Sequence, residues 1–599
     1  MESRYSVGQY SVQDILGWIK TGRISIPEIQ RPFVWSTTKV RDLIDSLYKG
    51  YPVGYLITWQ SRAVRLKSGT GSADQQILID GQQRVTALTA ALAGQQIVTK
   101  DYRRQRIQIA FNPVTEEFAT FTPILRNDPQ WLVDVAEAMA PGASFHLIAS
   151  FLERNPDVDR ELVIANITRL VELQTAQVGA INLAEHLDIE TVTEIFVRIN
   201  SAGARLTPAD FAMSKIASWG EQGATLRKYI DYFCHLSVAP HFYRELPEID
   251  PEFSETPYYR HLEWLQRDSS DLYDPTYQDV LRVAGLLAFE RGQMSAVVGL
   301  LSGRDFETRT FRDAIAQQSF DQLEKALDMV TSEHEFKQFR LILASAGYDS
   351  KSYLSATNAV NFAYALYLRL RRDGIDFPVI QSVVRRWFVM SMLSGRHSGS
   401  FESQWDQDFR RIGQVGAEAV LSSIERSDLT SGFWEEGLVL ALDSSSTRNP
   451  QFLAFLAAQN QKQSRGFLSR FVRVGAMVGD VGRGDIHHLF PKAYLSAHGV
   501  TDRSVVNQVG NYVVAETPVN IRIGKDAPSE YMAKVRDQIA AERPDVGEIV
   551  DAEDLAANFA ENAIPDAISY GVAADYPDFL IARRRAMASF IRDFYQGLS

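Results

Sequence analysis

The sequence is poor in the features that secreted and membrane-bound proteins need. Its 599 residues include one cysteine, Cys234, which excludes an intramolecular disulfide and a zinc site built on cysteines. No apolar run approaches the roughly 20 residues that a membrane-spanning helix requires. The first residues, MESRYSVGQY, lack the apolar stretch of a signal peptide. These absences predict a cytoplasmic protein that does not span a membrane.

Positive charge is also scarce. There are 62 Lys and Arg residues against 74 Asp and Glu residues, for a net charge of -12. This balance argues against a broadly basic nucleic-acid coat, although a local basic groove can lie on an acidic protein. The arginine clusters, among them Arg583 to Arg585, are ordinarily explained as solvated helix faces. The G-x-x-x-x-G-K-S/T motif is absent, which excludes a P-loop nucleotidase.

The length and the pattern of apolar residues predict a multidomain α+β protein. Short strands alternate with helices up to about residue 110, and residues 240–440 are almost wholly helical in pattern. Ser11 is predicted to cap the first helix, and Thr37 or Thr38 the second. Aromatic residues at helical spacing, for example Phe362 and Tyr364, are predicted to be core. The loop 443–451 is the best candidate linker, which gives domains 1–240, 241–442 and 443–599.

Two adjacent histidines in GDIHHLFPKAYL, residues 484–495, form the first chemical motif. The chain has only ten histidines, and His487 and His488 stand together where a short apolar strand runs into a turn. A second strand, GNYVVAE, opens with Asn511, and a loop then leads to Asn520. A polar corner at a strand end would explain a lone pair of histidines. The order His-His, Asn, Asn favours instead a metal site with a catalytic base.

This order and spacing resemble the ββα-metal motif of HNH nucleases, over roughly residues 465–530. The resemblance implies that His487 and Asn520 ligate a divalent metal and that His488 is the general base. It implies that Asn511 supports the loop that carries His488. Few protein ligands with several waters suit Mg²⁺ or Mn²⁺. His487 stands where many HNH nucleases carry aspartate, which leaves room for a softer metal or an idle site.

The second motif, ILIDGQQRVTALTA, places Asp80 and Gly81 at a strand end and opens a helix at once. Free N–H groups at a helix N-terminus favour anions, and Gly81 permits close approach. Arg84 in the first turn adds a fork of donors. The motif therefore predicts a phosphate cradle, with an ordinary capped helix as the alternative.

With IPEIQRPFVW before it and IFVRINSAGARLTPAD after it, this motif resembles the N-terminal domain of GmrSD-family modification-dependent restriction endonucleases. The resemblance covers roughly residues 1–240 and implies a ParB/sulfiredoxin-like fold. The implied nucleotide-binding residues are Asp80, Gly81, Gln82, Gln83 and Arg84. The residues implied to contact DNA and sense its modification are Gln30, Arg31, Pro32, Phe33 and Asn200. The implied ligands are DNA that carries a modification and an NTP, either GTP or another nucleotide, and the arrangement permits a homodimer.

Together the two motifs predict an anti-phage DNA endonuclease. It would sense modified DNA, either phosphorothioate or glucosylated cytosine, and NTP binding or hydrolysis would regulate an HNH site. The alternative is a nucleotide-switched DNA-binding regulator with an inactive HNH fold. A third hypothesis reverses the logic, with a host modification that restrains the nuclease.

Overall fold

The computed structural model describes residues 4–21, 23–25, 33, 35–60, 76–98, 104–140, 142–184, 187, 195, 208–217, 219–308, 310, 312–478 and 484–599. The chain packs as two compact units, the N-terminal unit Met1–Ala224 and the C-terminal unit Thr225–Ser599. The predicted boundaries at 240 and 442 stay predictions. No helix in the described ranges combines the length and the apolar character that crossing a membrane requires.

The N-terminal unit is built on a mixed five-stranded sheet. The strands of this unit, including those outside the large sheet, are β1 (Tyr5–Ser11), β2 (Ile24–Ser25), β3 (Tyr55–Gln60), β4 (Gln76–Asp80), β5 (Gln96–Val98), β6 (Arg104–Arg106), β7 (Ile109–Asn112), β8 (Glu117–Thr120) and β9 (Gln177–Leu183). The large sheet has the order β1-β9-β3-β4-β2, and β5–β6 and β7–β8 form separate antiparallel pairs. Within the large sheet β1–β9 and β3–β4 are antiparallel, whereas β3–β9 and β2–β4 are parallel.

The helices of this unit are α1 (Val12–Lys20), α2 (Thr37–Tyr48), α3 (Gln82–Leu92), α4 (Pro123–Arg126), α5 (Ala143–Arg154), α6 (Arg160–Val171) and α7 (Pro208–Ala217). Ser11 caps α1, as predicted. The predicted cap of α2 is wrong, because Ser36 has the extended backbone and its Oγ accepts from the Lys39 N–H at 3.3 Å. Thr37 and Thr38 are already helical.

Both faces of the large sheet bury apolar side chains. Because successive strand residues point to opposite faces, Leu56 of β3 joins the main core beneath the helices, whereas Ile57 joins a smaller cluster. The main core includes Ile15 of α1 and Ile44 of α2, while Trp59 lies in the smaller cluster. Helices α1 to α3 therefore pack on the face of the sheet to which Leu56 points.

The C-terminal unit is mainly helical. Its helices are α8 (Gly220–Val238), which begins just before the unit boundary, α9 (Leu246–Ile249), α10 (Pro251–Ser254), α11 (Pro257–His261), α12 (Tyr277–Phe289), α13 (Met294–Leu301), α14 (Asp313–Val330), α15 (Glu333–Ser345), α16 (Thr357–Arg372), α17 (Phe377–Ser394), α18 (Phe401–Val415), α19 (Ala417–Asp428), α20 (Leu438–Ala441), α21 (Pro450–Gln461), α22 (Val474–Met477), α23 (Lys492–Ala497), α24 (Arg503–Val506), α25 (Thr517–Ile523), α26 (Pro528–Ala540), α27 (Ala552–Glu561) and α28 (Tyr576–Gln596). Two strands, β10 (Gly484–His488) and β11 (Tyr512–Glu516), pair antiparallel.

Short 3-10 segments connect these elements in both units, at Val135–Met139, Glu172–Thr175, Pro240–Arg244, Glu263–Arg267, Lys351–Tyr353, Val509–Asn511, Asp566–Tyr570 and Ala573–Asp575, with one π-helical turn at Phe433–Gly437. The prediction of helices across 240–440 and of core aromatics is confirmed. Phe362, Tyr364 and Tyr367 of α16 are fully buried. A mixed α+β class is likewise confirmed, with helices in large excess.

A buried histidine makes the stability of the C-terminal unit depend on pH. His397 Nδ1 accepts a hydrogen bond from Trp405 Nε1 at 3.1 Å. Burial, together with the charge of Arg396, lowers the pKa of His397 from 6.5 to about 3. The unfolded chain therefore binds a proton at this histidine, between these two pH values, that the folded chain does not bind. The stability associated with His397 is lost as the pH falls from about 6.5 toward 3.

We expect the wild type to lose about 1.4 kcal/mol of unfolding free energy per pH unit below pH 6, relative to His397→Gln. Urea unfolding of both proteins between pH 7 and pH 5 measures this difference. The comparison with His397→Gln is needed because burial raises the pKa of Asp274 to about 6. This second shift makes the folded chain more stable as the pH falls, so it opposes the effect of His397 on the unfolding free energy of the wild type. Parallel pH curves for the two proteins would contradict the expectation.

Candidate functional site

The adjacent histidines lie at the end of β10 and face β11. His487 is opposite Val513 and His488 is opposite Tyr512. Two expected boundaries differ in the structure. Asn511 ends a 3-10 turn just before β11 rather than opening the strand, and the predicted loop is helical because α25 begins at Thr517. The local order is therefore strand, strand and helix, with Asn520 on the helix.

His487 and Asn520 meet between the strand and the helix. His487 is buried, and its Nδ1 lies 2.5 Å from Asn520 Oδ1. Because an amide oxygen only accepts, this contact places a proton on Nδ1. A divalent ion held by the same nitrogen and oxygen would take the place of that proton, so the two side chains fit the predicted pair of ligands. In the described ranges no three His, Cys, Asp or Glu side chains are grouped to hold a metal, so waters would have to complete the coordination.

His488 lies on the other face of β10 in a partly buried position. Its Nε2 is 3.1 Å from Asn507 Oδ1, and its ring meets that of Tyr512 edge to face at 5.1 Å between centroids. Burial and the charge of Lys492 lower the pKa of His488 to about 4. The imidazole is therefore neutral at neutral pH. With Asn507 Oδ1 as the acceptor, the ring proton lies on Nε2, and the Nδ1 lone pair is left to accept a proton.

Asn511 joins three backbone groups around the turn that follows His488. Its Oδ1 accepts from the Phe490 N–H at 2.8 Å. Its Nδ2 donates to Phe490 O at 3.1 Å and to Val506 O at 3.2 Å. The side chain is fully buried, so water cannot replace these bonds. The contacts hold the His488 turn in place, and their importance for catalysis stays a prediction.

The predicted linker contacts the second strand directly. The Tyr512 hydroxyl donates to Ser445 O at 3.1 Å, and the Val509 N–H, in the turn before β11, donates to Ser444 O at 2.7 Å. Asn507 and Tyr512, which position His488, were not among the predicted site residues. Neither lies in a motif with a chemical signature. The pairing of β10 with β11 brings Tyr512 to the histidine, and the end of α24 brings Asn507 to it.

Arg583 corrects the interpretation of its arginine cluster as a solvated face. Its side chain is fully buried on α28, where Nη1 donates to Ala563 O at 2.6 Å and Nη2 donates to Tyr512 O at 3.4 Å. Burial lowers its pKa to about 9. Arg584 pairs with Asp443, at the start of the predicted linker. Both arginines therefore fasten neighbouring segments of the C-terminal unit to α28.

In the N-terminal unit the DGQQR motif forms the junction of β4 and α3. β4 ends at Asp80, Gly81 adopts the left-handed conformation with φ of 97°, and α3 begins without a side-chain cap. Arg84 Nη2 donates to Asp80 Oδ2 at 3.2 Å, and Nη1 donates to Val53 O at 3.3 Å. Burial lowers the pKa of Arg84, against the opposing effect of Asp80.

This geometry fits the predicted phosphate cradle only in part. The first N–H groups of α3 receive no side-chain cap, as an anion site requires. Both terminal nitrogens of Arg84, however, already bond the protein, and Gln82 Nε2 lies 3.5 Å from Leu78 O. Nucleotide binding by the motif stays a prediction. Arg84 also holds the loop that contains Val53 in place.

The other predicted residues of this unit are mostly beyond the described positions. Gln30, Arg31, Pro32 and Asn200 lie outside the residues that the structure describes. Phe33 is part of the main core and only 6% exposed, which is the position of a packing residue. Its proposed part in sensing modified DNA stays a prediction.

Gly81 is expected to be the least replaceable residue of this junction. A Cβ there would lie 2.4 Å from Leu56 Cδ2, in addition to the strain of its positive φ. We expect Gly81→Ala to cost about 2–4 kcal/mol of unfolding free energy, measured by urea unfolding. Gly142 is a matched control, because it precedes α5 with φ of 76° and its added Cβ meets nothing within 4 Å. Gly142→Ala should cost about 1 kcal/mol. Equal costs for the two variants would show that the contact with Leu56 is unimportant.

Comparison with known proteins places the N-terminal unit in a family. Residues 12–217 match the family model described as GmrSD restriction endonuclease, N-terminal domain. This match confirms the family recognised from the IPEIQRPFVW and DGQQR motifs. The chain is also similar to the Uncharacterized protein MJ0686 of Methanocaldococcus jannaschii, with 19% identity over 561 residues that cover 86% of this chain and 84% of that protein.

Proposed function

We propose that this protein cleaves DNA at a metal-dependent HNH site formed by β10, β11 and α25. Its residues 12–217 match the N-terminal domain of GmrSD restriction endonucleases, which supports the proposal. The observation that carries the proposal is the convergence of His487 and Asn520, with a neutral His488 next in sequence on the other face of β10.

The side chains divide the chemistry of phosphodiester hydrolysis between them. His487 and Asn520 would hold Mg²⁺ or Mn²⁺, which supplies positive charge to the phosphate as it is attacked. His488 would take a proton from the attacking water, and its neutral imidazole is ready to do so at neutral pH. Asn507 holds the opposite ring nitrogen, so the imidazole is oriented before DNA binds.

The N-terminal unit would decide which DNA is cut. The family model is that of restriction endonucleases, which supports a role in defence against foreign DNA. We propose that phosphorothioate or glucosylated cytosine is sensed by residues 30–33 with Asn200. GTP or another NTP would bind at Asp80 to Arg84, where the uncapped start of α3 favours an anion.

The test is cleavage of plasmid DNA in Mg²⁺ or Mn²⁺. The substrates are unmodified, phosphorothioate and glucosyl-hydroxymethylcytosine DNA, each with and without GTP. Cleavage of one modified substrate alone would support the restriction proposal and identify the modification. Cleavage of unmodified DNA alone would favour the reversed logic, in which a host modification restrains the enzyme.

A second candidate is a nucleotide-switched DNA-binding regulator with an inactive HNH fold. The observation in its favour is that His487, where many HNH nucleases carry aspartate, is bonded to Asn520 through a proton. This candidate predicts nucleotide-dependent DNA binding and no metal-dependent cleavage of any of the three substrates.

A further inference from the structure

A closed hairpin loop, residues 465–473, lies beside β11. Arg465 and Arg473 form a β-bridge at its base, and the Gly466 N–H donates to Val472 O at 3.0 Å. The Phe467 N–H donates to Val514 O at 2.8 Å, so the loop borders the edge of β11 that β10 does not occupy. The loop is thus attached to the same two-stranded sheet that carries the candidate catalytic histidines.

The conformation of this loop is strained and fixed by many contacts. Leu468 has a left-handed backbone with φ of 58°, which is unfavourable for a branched side chain. Asn558 holds the turn from both sides, since its Oδ1 accepts from the Leu468 N–H at 3.0 Å and its Nδ2 donates to Gly466 O at 2.9 Å. Strain of this kind persists only where surrounding contacts enforce it, and it is concentrated at functional sites.

The loop presents an aromatic ring and one arginine to solvent at its tip, and a second exposed arginine, Arg473, at its base. Phe471 is 71% exposed, and the Arg470 guanidinium lies 5.4 Å from the centroid of its ring. Arg465 at the base is neutralised by Asp554 and Glu561. Arg470 and Arg473 have no ion-pair partner within the described part of the chain, and Arg473 Nη1 donates to Gln463 O at 2.6 Å.

The tip is fastened to the helix that carries Asn520. Ser469 Oγ donates to Glu516 Oε2 at 2.5 Å, and Glu516 is the residue that precedes α25. On α25 itself Ile521, next to Asn520, is 72% exposed. The loop is therefore joined to the start of α25, and an exposed apolar side chain lies on each of them.

We propose that the hairpin loop 465–473 is a DNA-contact element of the C-terminal unit. The phenyl ring of Phe471 would lie against bases or sugars in a groove of the duplex, as apolar wedges do. Arg470 and Arg473 would bind phosphates on either side of it. The unpaired charge of these arginines is complementary to DNA, and the rigid loop presents the ring without an ordering cost. This inference rests on the proposed function, since it assigns DNA as the partner of the same site.

The test is duplex binding by a His488→Ala protein, measured by fluorescence anisotropy of a labelled oligonucleotide at several salt concentrations. Adding Phe471→Ser is expected to weaken binding roughly tenfold with an unchanged salt slope. Adding Arg470→Gln with Arg473→Gln should lower the slope of log K against log salt by about 2, because two phosphate contacts are lost. Phe145→Ser is the matched control, because Phe145 is 76% exposed and lies in the other unit.

Each outcome separates this inference from the proposed function. Equal binding by the Phe471→Ser protein and its parent, or no duplex binding by the parent, would overturn the DNA-contact element. Weaker binding by Phe471→Ser than by Phe145→Ser would support it. Failure of the wild type to cleave any DNA would instead contradict the proposed function, whatever the binding data show.

Discussion

Alanine at His488 is expected to reduce DNA cleavage roughly 10²–10⁴-fold, which is the usual contribution of a general base. The imidazole of His488 is neutral at neutral pH because burial and the charge of Lys492 lower its pKa to about 4. The ring also has a fixed orientation, because Asn507 bonds its Nε2 and Tyr512 packs against it edge to face. Alanine removes the proton acceptor and leaves His487 and Asn520 in place. The initial rate of plasmid nicking, on whichever DNA the wild type cuts, measures the loss.

His498→Ala provides the matched control. His498 belongs to the same unit and is exposed, and its Nδ1 contacts only the carbonyl of Tyr494 at 2.9 Å. Its removal should leave the cleavage rate unchanged. Wild-type cleavage by His488→Ala would contradict the assignment of the base. An equal loss in both variants would indicate damage to the unit rather than to the chemistry.

Alanine at Asn511 is expected to cost about 2–4 kcal/mol of unfolding free energy, because it leaves two buried backbone groups without partners and removes one of the two hydrogen bonds to a third. The N–H and the carbonyl of Phe490 lose their partner, whereas the carbonyl of Val506 keeps the hydrogen bond from the Tyr576 hydroxyl at 3.2 Å. The turn they form follows His488 at once. Cleavage should therefore fall as well, even under conditions where the variant remains folded.

Urea unfolding followed by circular dichroism measures the stability change, and Asn507→Ala is the comparison. Asn507 contacts His488 through one hydrogen bond and is only partly buried, so its loss should cost about 1 kcal/mol. We expect Asn507→Ala to impair cleavage with little change in stability. Comparable unfolding midpoints for Asn511→Ala and the wild type would show that the buried amide does not hold the turn.

Local sequence patterns predicted the start of α1 and the strand-to-helix turn of the DGQQR motif. Ser11 before an apolar period of 3.6 fixes the start of α1, and the glycine of DGQQR fixes the turn between β4 and α3. In each case the decisive interaction spans only a few residues, so composition and spacing carry the information. The start of α2 was misplaced because Ser36, Thr37 and Thr38 are all competent caps, and the backbone geometry selects among them.

By itself the sequence determined the two motifs, their order along the chain and the family of residues 12–217. The tertiary structure alone decided the partners of each motif. Asn520 reaches His487 across 33 positions of sequence, and Arg84 braces Val53 across 31. Arg583 is buried where α28 brings its guanidinium to the carbonyls of Ala563 and Tyr512. Sequence patterns record contacts along one element, whereas contacts between distant elements depend on how those elements pack, and no local spacing encodes that packing.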